Sequence, residues 1–296
     1  MEGENELSYS NSEVSRVVRL SDGTILNRYW DKYDIARPES YREDVEMVEK
    51  SKRNHGEMYR HIRAAGESGW DFSSRWFEDC SNMDSINTTD LLPVDLNCLM
   101  LNMEHVLLEG YQLSGQSTKV VEFRQRILKR ERAIHQYFWD EDKTFFFDYN
   151  FKMADKTPVY SLAAAFPLFF KTCTRLQAID VACILETKFL KKGGLLTTLN
   201  RSGQQWDTPN GWAPLHWISY KGLINYDLIG LAIQVKNNWL ETNRKVYKES
   251  GKMLEKYNVS DDRETAGGGG EYPNQDGFGW TNGVYLKLER EHPVAR

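Results

Sequence analysis

Metal and disulfide chemistry have little to work with in this sequence. Its four cysteines, Cys80, Cys98, Cys173 and Cys183, show no metal-ligand spacing. Cys98 and Cys183 fall in apolar helical patterns and read as buried thiols. The six histidines are scattered without an HxxxH or HExxH pattern, so no metal site is expected. No run of about 18 apolar residues is present, which excludes a membrane-spanning helix of the usual kind. No run of lysine or arginine points to a nucleic-acid partner, and the net charge is −5. The start, "MEGENELSYSNSEVSR", is acidic and polar, unlike a signal peptide. It reads as an irregular stretch over residues 1–16 of a chain that stays in the cytoplasm.

What is abundant is aromatic. Nine tryptophans and fifteen tyrosines contribute to an aromatic content of 12%. Most such rings pack cores, but flat rings also stack on the apolar faces of sugars. The 296 residues suffice for one large core or two small ones, and the expectation is a single domain over 1–296.

Helical periodicity dominates. After Pro93, residues Leu96, Leu99, Met100, Met103, Val106 and Leu107 form an apolar stripe that ends near Leu113. A charged helix is expected from about Thr118 to Tyr137, then a short hairpin in "FWDEDKTFFFDY". "SLAAAFPLFF" and "RLQAIDVACILETKFL" read as a helix pair. Leu228, Leu231, Ala232, Val235 and Trp239 mark another helix, and a last one starts near Trp280. Roughly eight helices are joined by short loops and by long ones at 66–95, 193–214 and 259–283. Such alternation suits helical hairpins around an axis, with the long loops gathered to build a site.

Each long loop combines Trp, Gly and a carboxylate: "ESGWDFSSRWF" with Asp71, "SGQQWDTPNGWAPLHW" with Asp207, and "GGGGEYPNQDGFGWTNG" with Glu271. A carboxylate in a loop is more often a cap or turn residue than a catalyst. Asp207 fits that reading best, as a turn residue bonding backbone amides ahead of a helix. Cleaving an acetal between sugars needs a carboxylic acid to protonate the leaving oxygen and a carboxylate to activate water or attack. The acid must keep its proton near neutral pH, which an apolar wall favours. Trp70 and Phe72 flank Asp71 and supply one. Glu271, on a glycine arm near Asn274, Gln275 and Asn282, suits a base with water access. In "RPES", Ser40 reads as an N-cap completed by Glu43, leaving Arg37 and Glu39 to face a cleft. A surface ion pair is an equally good reading of those two. The glycines do not form a phosphate loop, because an acid and no GK[ST] follows.

Together "LNRYW", "RPES", "SGWDFSSRW", "PVDLN", "GQQWDTPNGWAP", "EKYNVS" and "GGGGEYPNQDGFGWTNGV" resemble the trehalases, in the order of that family and over nearly the whole chain after Val17. The resemblance implies an all-α, (α/α)6-toroid glycosidase fold, inversion at the anomeric carbon, and no metal or organic cofactor. It implies trehalose as the small-molecule substrate, Asp71 as general acid and Glu271 as general base. Arg37, Pro38, Glu39 and Gly69 then belong to sugar-binding segments. Trp206, Trp212 and Trp280 become cleft aromatics. The family's N-terminal segments "PGGRF…YYWDSYF" and "GNRS" do not occur here. The toroid is therefore expected to be incomplete, as in a C-terminal half to two-thirds of a trehalase. The chain is either an active trehalase, alone or with a separate N-terminal segment, or a sugar-binding remnant with little turnover. His216 stands where the family often has Gln.

Overall fold

The computed structural model describes residues 3–8, 10–260, 267–270 and 272–291. The chain divides into two compact units, one of residues 1–68 and 87–157, the other of 69–86 and 158–296.

In the first unit, three short antiparallel strands, β1 (Glu13–Val14), β2 (Val17–Arg19) and β3 (Ile25–Asn27), precede α1 (Tyr41–Lys50) and α2 (His55–Ser68). β4 (Leu91–Leu92) leads into α3 (Val94–Leu113) and α4 (Ser117–Ala133). The hairpin of β5 (Trp139–Asp140) and β6 (Phe145–Phe146) follows, and β7 (Tyr149–Asn150) joins β4 to β8 (Asp155–Lys156). Pro93 stands at the N-cap of α3, and the orphan Val94 N–H donates to Asp148 Oδ1 at 2.9 Å.

The α3 stripe read from the sequence faces the other way. Leu99, Met103, Val106 and Leu107 are exposed, whereas Val94, Asn97, Cys98, Leu101 and Glu104 are buried. The reason is an ion pair. Arg130 of α4 holds Glu104 through two 3.0 Å bonds and Asn97 Oδ1 through a third, and a buried guanidinium requires that its partners turn inward with it. Ser40 makes no side-chain cap on α1, so the expected capping box is not formed.

The second unit begins with the loop after α2. It continues through α5 (Phe166–Phe169), α6 (Arg175–Ile184), α7 (Ala213–Asn225), α8 (Ile229–Ser250) and α9 (Gly279–Arg290). Its strands are short: β9 (Leu190–Lys191) pairs with β10 (Gly194–Leu195), and β11 (Asn210–Trp212) with β12 (Lys256–Asn258). A Thr174–Gln177 capping box starts α6. Gly251, at φ 70°, ends α8 with a 2.8 Å bond from its N–H to the Tyr247 carbonyl. Ala232, Val235 and Trp239 of α8 are buried, as their spacing predicts. Cys98 is buried as expected, but Cys183 is exposed, because α6 turns Val181, Ala182 and Ile184 inward instead. Among the described residues no helix is long and apolar enough to cross a membrane.

Candidate active site

Three loops meet in the second unit around Asp71. Gly69 precedes it at φ 75°, exposed, and Asp71 itself is half-buried. Trp70 and Phe72 on either side are buried.

Each residue from Trp70 to Ser74 is tied to another part of the chain. Trp76 Nε1–H donates to the Trp70 carbonyl at 3.0 Å. The Gln205 side-chain amide donates to the Asp71 carbonyl. The Trp206 N–H donates to the Phe72 carbonyl at 3.0 Å. Ser73 Oγ and the Ser74 N–H donate to the two oxygens of Asp207, at 2.8 and 2.7 Å. The carbonyls of Asp71 and Phe72 and the Ser74 N–H are thus held by residues 205–207, and that of Trp70 by Trp76, which fixes the direction from which the Asp71 side chain leaves the backbone. Arg75 lies between Trp70 and Trp76, its guanidinium carbon 4.5 Å from each ring centre.

Asp207 is therefore more than a local turn residue. Besides Ser73 and the Ser74 N–H, it accepts from Ser74 Oγ at 3.0 Å, from Thr198 Oγ1 at 2.7 Å and from Ser202 Oγ. It is fully buried, and its job is to draw the tryptophan loop and the loop after β10 together. Most of its partners lie 133 or 134 residues away or in a separate turn, which no local pattern reveals.

Trp206 stacks face to face on Trp212, with ring centres 3.9 Å apart and planes 1° from parallel. Trp70 stacks on Trp206 at 5.3 Å, and Trp280 meets both Trp206 and Trp212 edge-on. Trp212 is 1% exposed, so it supports Trp206 from within rather than lining a cleft, as the sequence suggests.

The glycine arm docks on the same loop. Gly268 exchanges two hydrogen bonds with the Asn210 side chain, and the Gly270 N–H donates to the Gly203 carbonyl at 3.2 Å. Gly269 sits at φ 81°, and a Cβ there would lie 2.5 Å from the Gly203 carbonyl oxygen. Only glycine allows both the left-handed backbone and that approach. Glu271, which follows in sequence, lies outside the described residues.

Arg37, Pro38 and Glu39 belong to the first unit, unlike Gly69, Asp71 and Trp206. Pro38 and Glu39 are exposed. Arg37 does not pair at the surface and is not left over to face a cleft. It is 4% exposed and pairs with buried Asp44, Nη2 to Oδ1 at 2.7 Å and Nε to Oδ2 at 3.0 Å. Asp44 also accepts from the Arg37 N–H at 2.8 Å. The Ser-x-x-Glu pattern was misleading because Asp44, one residue further on, holds this turn in place of Glu43.

This helical architecture is that of the toroid-type glycosidases. The neutral trehalase Nth1 from Saccharomyces cerevisiae superposes with a TM-score of 0.73 at 23% identity, over 92% of this chain and 53% of the other. A GH63 mannosylglycerate hydrolase from Thermus thermophilus superposes at 0.52 with 20% identity, over 67% of this chain and 45% of the other. Within that class the family is specific: the family model described as Trehalase matches residues 1–292, and the chain belongs to the trehalase family. A periplasmic trehalase of Escherichia coli (strain SMS-3-5 / SECEC) is 42% identical over 289 residues, 97% of this chain and 51% of that protein. The chain thus spans about half the length of the curated relatives it matches.

Proposed function

We propose that the two units act as one catalytic domain that hydrolyses α,α-trehalose to two glucose molecules by an inverting acid/base mechanism. Asp71 protonates the bridging oxygen as the bond to the anomeric carbon breaks. Glu271 takes a proton from the water that attacks the opposite face. The transition state is oxocarbenium-like, and one acetal plus one water gives two sugars. Inversion calls for carboxyl groups about 6.5–9.5 Å apart, leaving room for that water. The observation that carries the reading is the anchoring of the main chain from Trp70 to Ser74, which holds Asp71 where a proton donor needs a fixed direction. The role of Glu271 rests on the "GGGGEY" segment. Sugar binding by Arg37, Pro38, Glu39, Gly69 and Trp206 rests on family segments. Trp206 is itself 5% exposed and carries the stacked rings of Trp70 and Trp212, so only its uncovered edge is left for a sugar.

A second reading is a sugar-binding chain with little turnover. It is favoured by the engagement of Arg37 with Asp44, which occupies that guanidinium within its own unit. A separate N-terminal segment would be the natural partner if turnover needs one. The relatives' stated location, the periplasm, lends no support to the cytoplasmic expectation.

The deciding experiment is glucose release from trehalose by the 296-residue chain, with Asp71→Asn and Glu271→Ala as controls. An inverting enzyme releases one β- and one α-glucose, seen by NMR before mutarotation. Each substitution should lower kcat by at least about 10³-fold. Two α-glucose products would refute inversion. No release from a folded chain that still binds trehalose would establish the second reading.

A further inference from the structure

A fully buried lysine stands behind this site. Lys256 is 0% exposed and its neighbour Glu255 is 3% exposed. Lys256 Nζ donates to Glu255 Oε2 at 2.8 Å and to Gln205 Oε1 at 2.9 Å. Gln205 Nε2 donates to the Tyr272 hydroxyl at 3.2 Å, and that hydroxyl donates to Glu255 Oε1 at 3.1 Å. The four side chains close a ring. The second hydrogen of the Gln205 amide leaves the ring for the Asp71 carbonyl.

Burying an ammonium and a carboxylate costs desolvation energy that two apolar side chains would not incur, so stability alone does not explain the pair. Orientation does. An ammonium only donates and a carbonyl only accepts, so Lys256 fixes Oε1 of Gln205 towards itself and Nε2 towards Asp71. Lys256 is held in turn between rings, its Nζ 4.9 Å from the centre of Tyr272 and 5.3 Å from that of Trp212. Burial first, and then the negative charges of Glu255 and Asp71, push the Tyr272 phenol up to about 12, against the opposing bond from Gln205. It therefore keeps the proton it donates to Glu255.

We propose that Glu255, Lys256, Gln205 and Tyr272 form one positioning unit, anchored by Lys256, that sets the Asp71 main chain and the end of the glycine arm together. Tyr272 is the residue after Glu271, so the unit grips the neighbourhoods of both proposed carboxylates. It rests on the acid role assigned to Asp71 above.

The test compares Lys256→Met, Gln205→Leu, their double variant and Lys256→Arg in the 296-residue chain. Glucose release from trehalose gives kcat and KM. Hydrogen exchange reports on 69–76 and 267–278. Each single change should lower kcat about 10²-fold with KM altered less than about threefold. The double variant should be no slower than either single one, because members of one unit do not add. Lys256→Arg should recover about tenfold, since it restores the donor charge. Losses that multiply in the double variant, or that fall on KM alone, would overturn the proposal. Should the lysine variants fail to fold, Tyr272→Phe removes only a hydroxyl from a residue 38% exposed. An unchanged kcat in that variant would be equally fatal. If the parent chain releases no glucose, the functional reading fails separately. The unit is then decided by exchange: faster exchange at both segments in each single variant, and no faster in the double, supports it. Unchanged exchange refutes it.

Discussion

The arginine pairs of the first unit and the Asp207 cluster of the second partner a carboxylate in different ways. In the first, carboxylates face guanidinium groups: Glu104 faces Arg130, Asp44 faces Arg37, and Glu13 faces buried Arg28 at 2.7 Å. In the second, Asp207 is satisfied by five hydrogen bonds from four hydroxyls and one backbone N–H, all neutral. An arginine fork locks two elements in one planar geometry. Small neutral donors can arrive singly from several loops, so one carboxylate can gather strands of chain that share no helix face. A site assembled from loops needs the second device.

The comparison is broken most severely at Asp207. Asp207→Asn replaces an oxygen acceptor by an NH₂ group facing donors. The expected loss is about 4 kcal/mol of unfolding free energy, with glucose release abolished. Urea unfolding measures the first and a trehalose assay the second. A loss below about 1 kcal/mol would mean that the loops hold without it. Arg37→Met comes next. It strands buried Asp44 and should cost about 3 kcal/mol. Adding Asp44→Leu should recover most of that, since an apolar pair avoids the desolvation penalty. A double variant as unstable as the single one would contradict a simple ion pair.

The smallest effect sharpens the comparison through pH. Each unit holds a buried neutral histidine. Burial, and then the positive charges of Arg53, Arg28 and Arg60, lower His61 from 6.5 to about 3. Burial alone lowers His216 from 6.5 to about 4, partly opposed by its bond to the Trp212 carbonyl. Because both folded values lie below the unfolded one, only the unfolded chain takes up the proton between them. The stabilisation is complete above about pH 6.5 and is lost as pH falls towards 4 and 3, by at most about 1.4 kcal/mol per pH unit for each group. His216 accepts from the Leu195 N–H at 2.8 Å, and its Nδ1 lies 2.8 Å from the Trp212 carbonyl. A glutamine can serve both partners without titrating. His216→Gln should therefore flatten the Tm slope between pH 6.5 and 4 and leave Tm at pH 8 within a few degrees. An unchanged acid slope would show that His216 does not take part.

Where a signal was local, the sequence carried it. The ends of α3, the Trp139–Phe146 hairpin and the buried stripe of α8 all follow from neighbouring residues. Two helices left no such mark. In α7, "APLHWISYKGLIN" is apolar on several faces and shows no stripe. In α2, "HGEMYRHIRAAGES" carries glycines that lower its helical propensity. At the site, Asp71 was legible as a candidate because Trp70 and Phe72 are its neighbours in sequence. Asp207 and Lys256 were not. Asp207 reaches Ser73 and Ser74, 134 and 133 residues away, Lys256 reaches Gln205, 51 away, and a buried lysine has the same letter as a solvated one. The inward turn of α3 was hidden for a related reason: Arg130 decides which face packs, and periodicity counts only apolar residues.

The tie between Phe72 and Trp206, with Asp207 beside it, also bears on engineering. The stretch 70–74 has no rigidity of its own to export. Grafted alone onto another helical scaffold, it would be a floppy loop carrying an acid. The smallest transplantable cassette is discontinuous: the tryptophan loop together with residues 198–212 and the strand that carries Lys256. Recombination between family members should keep these pieces from one parent, whatever crossover points are chosen elsewhere.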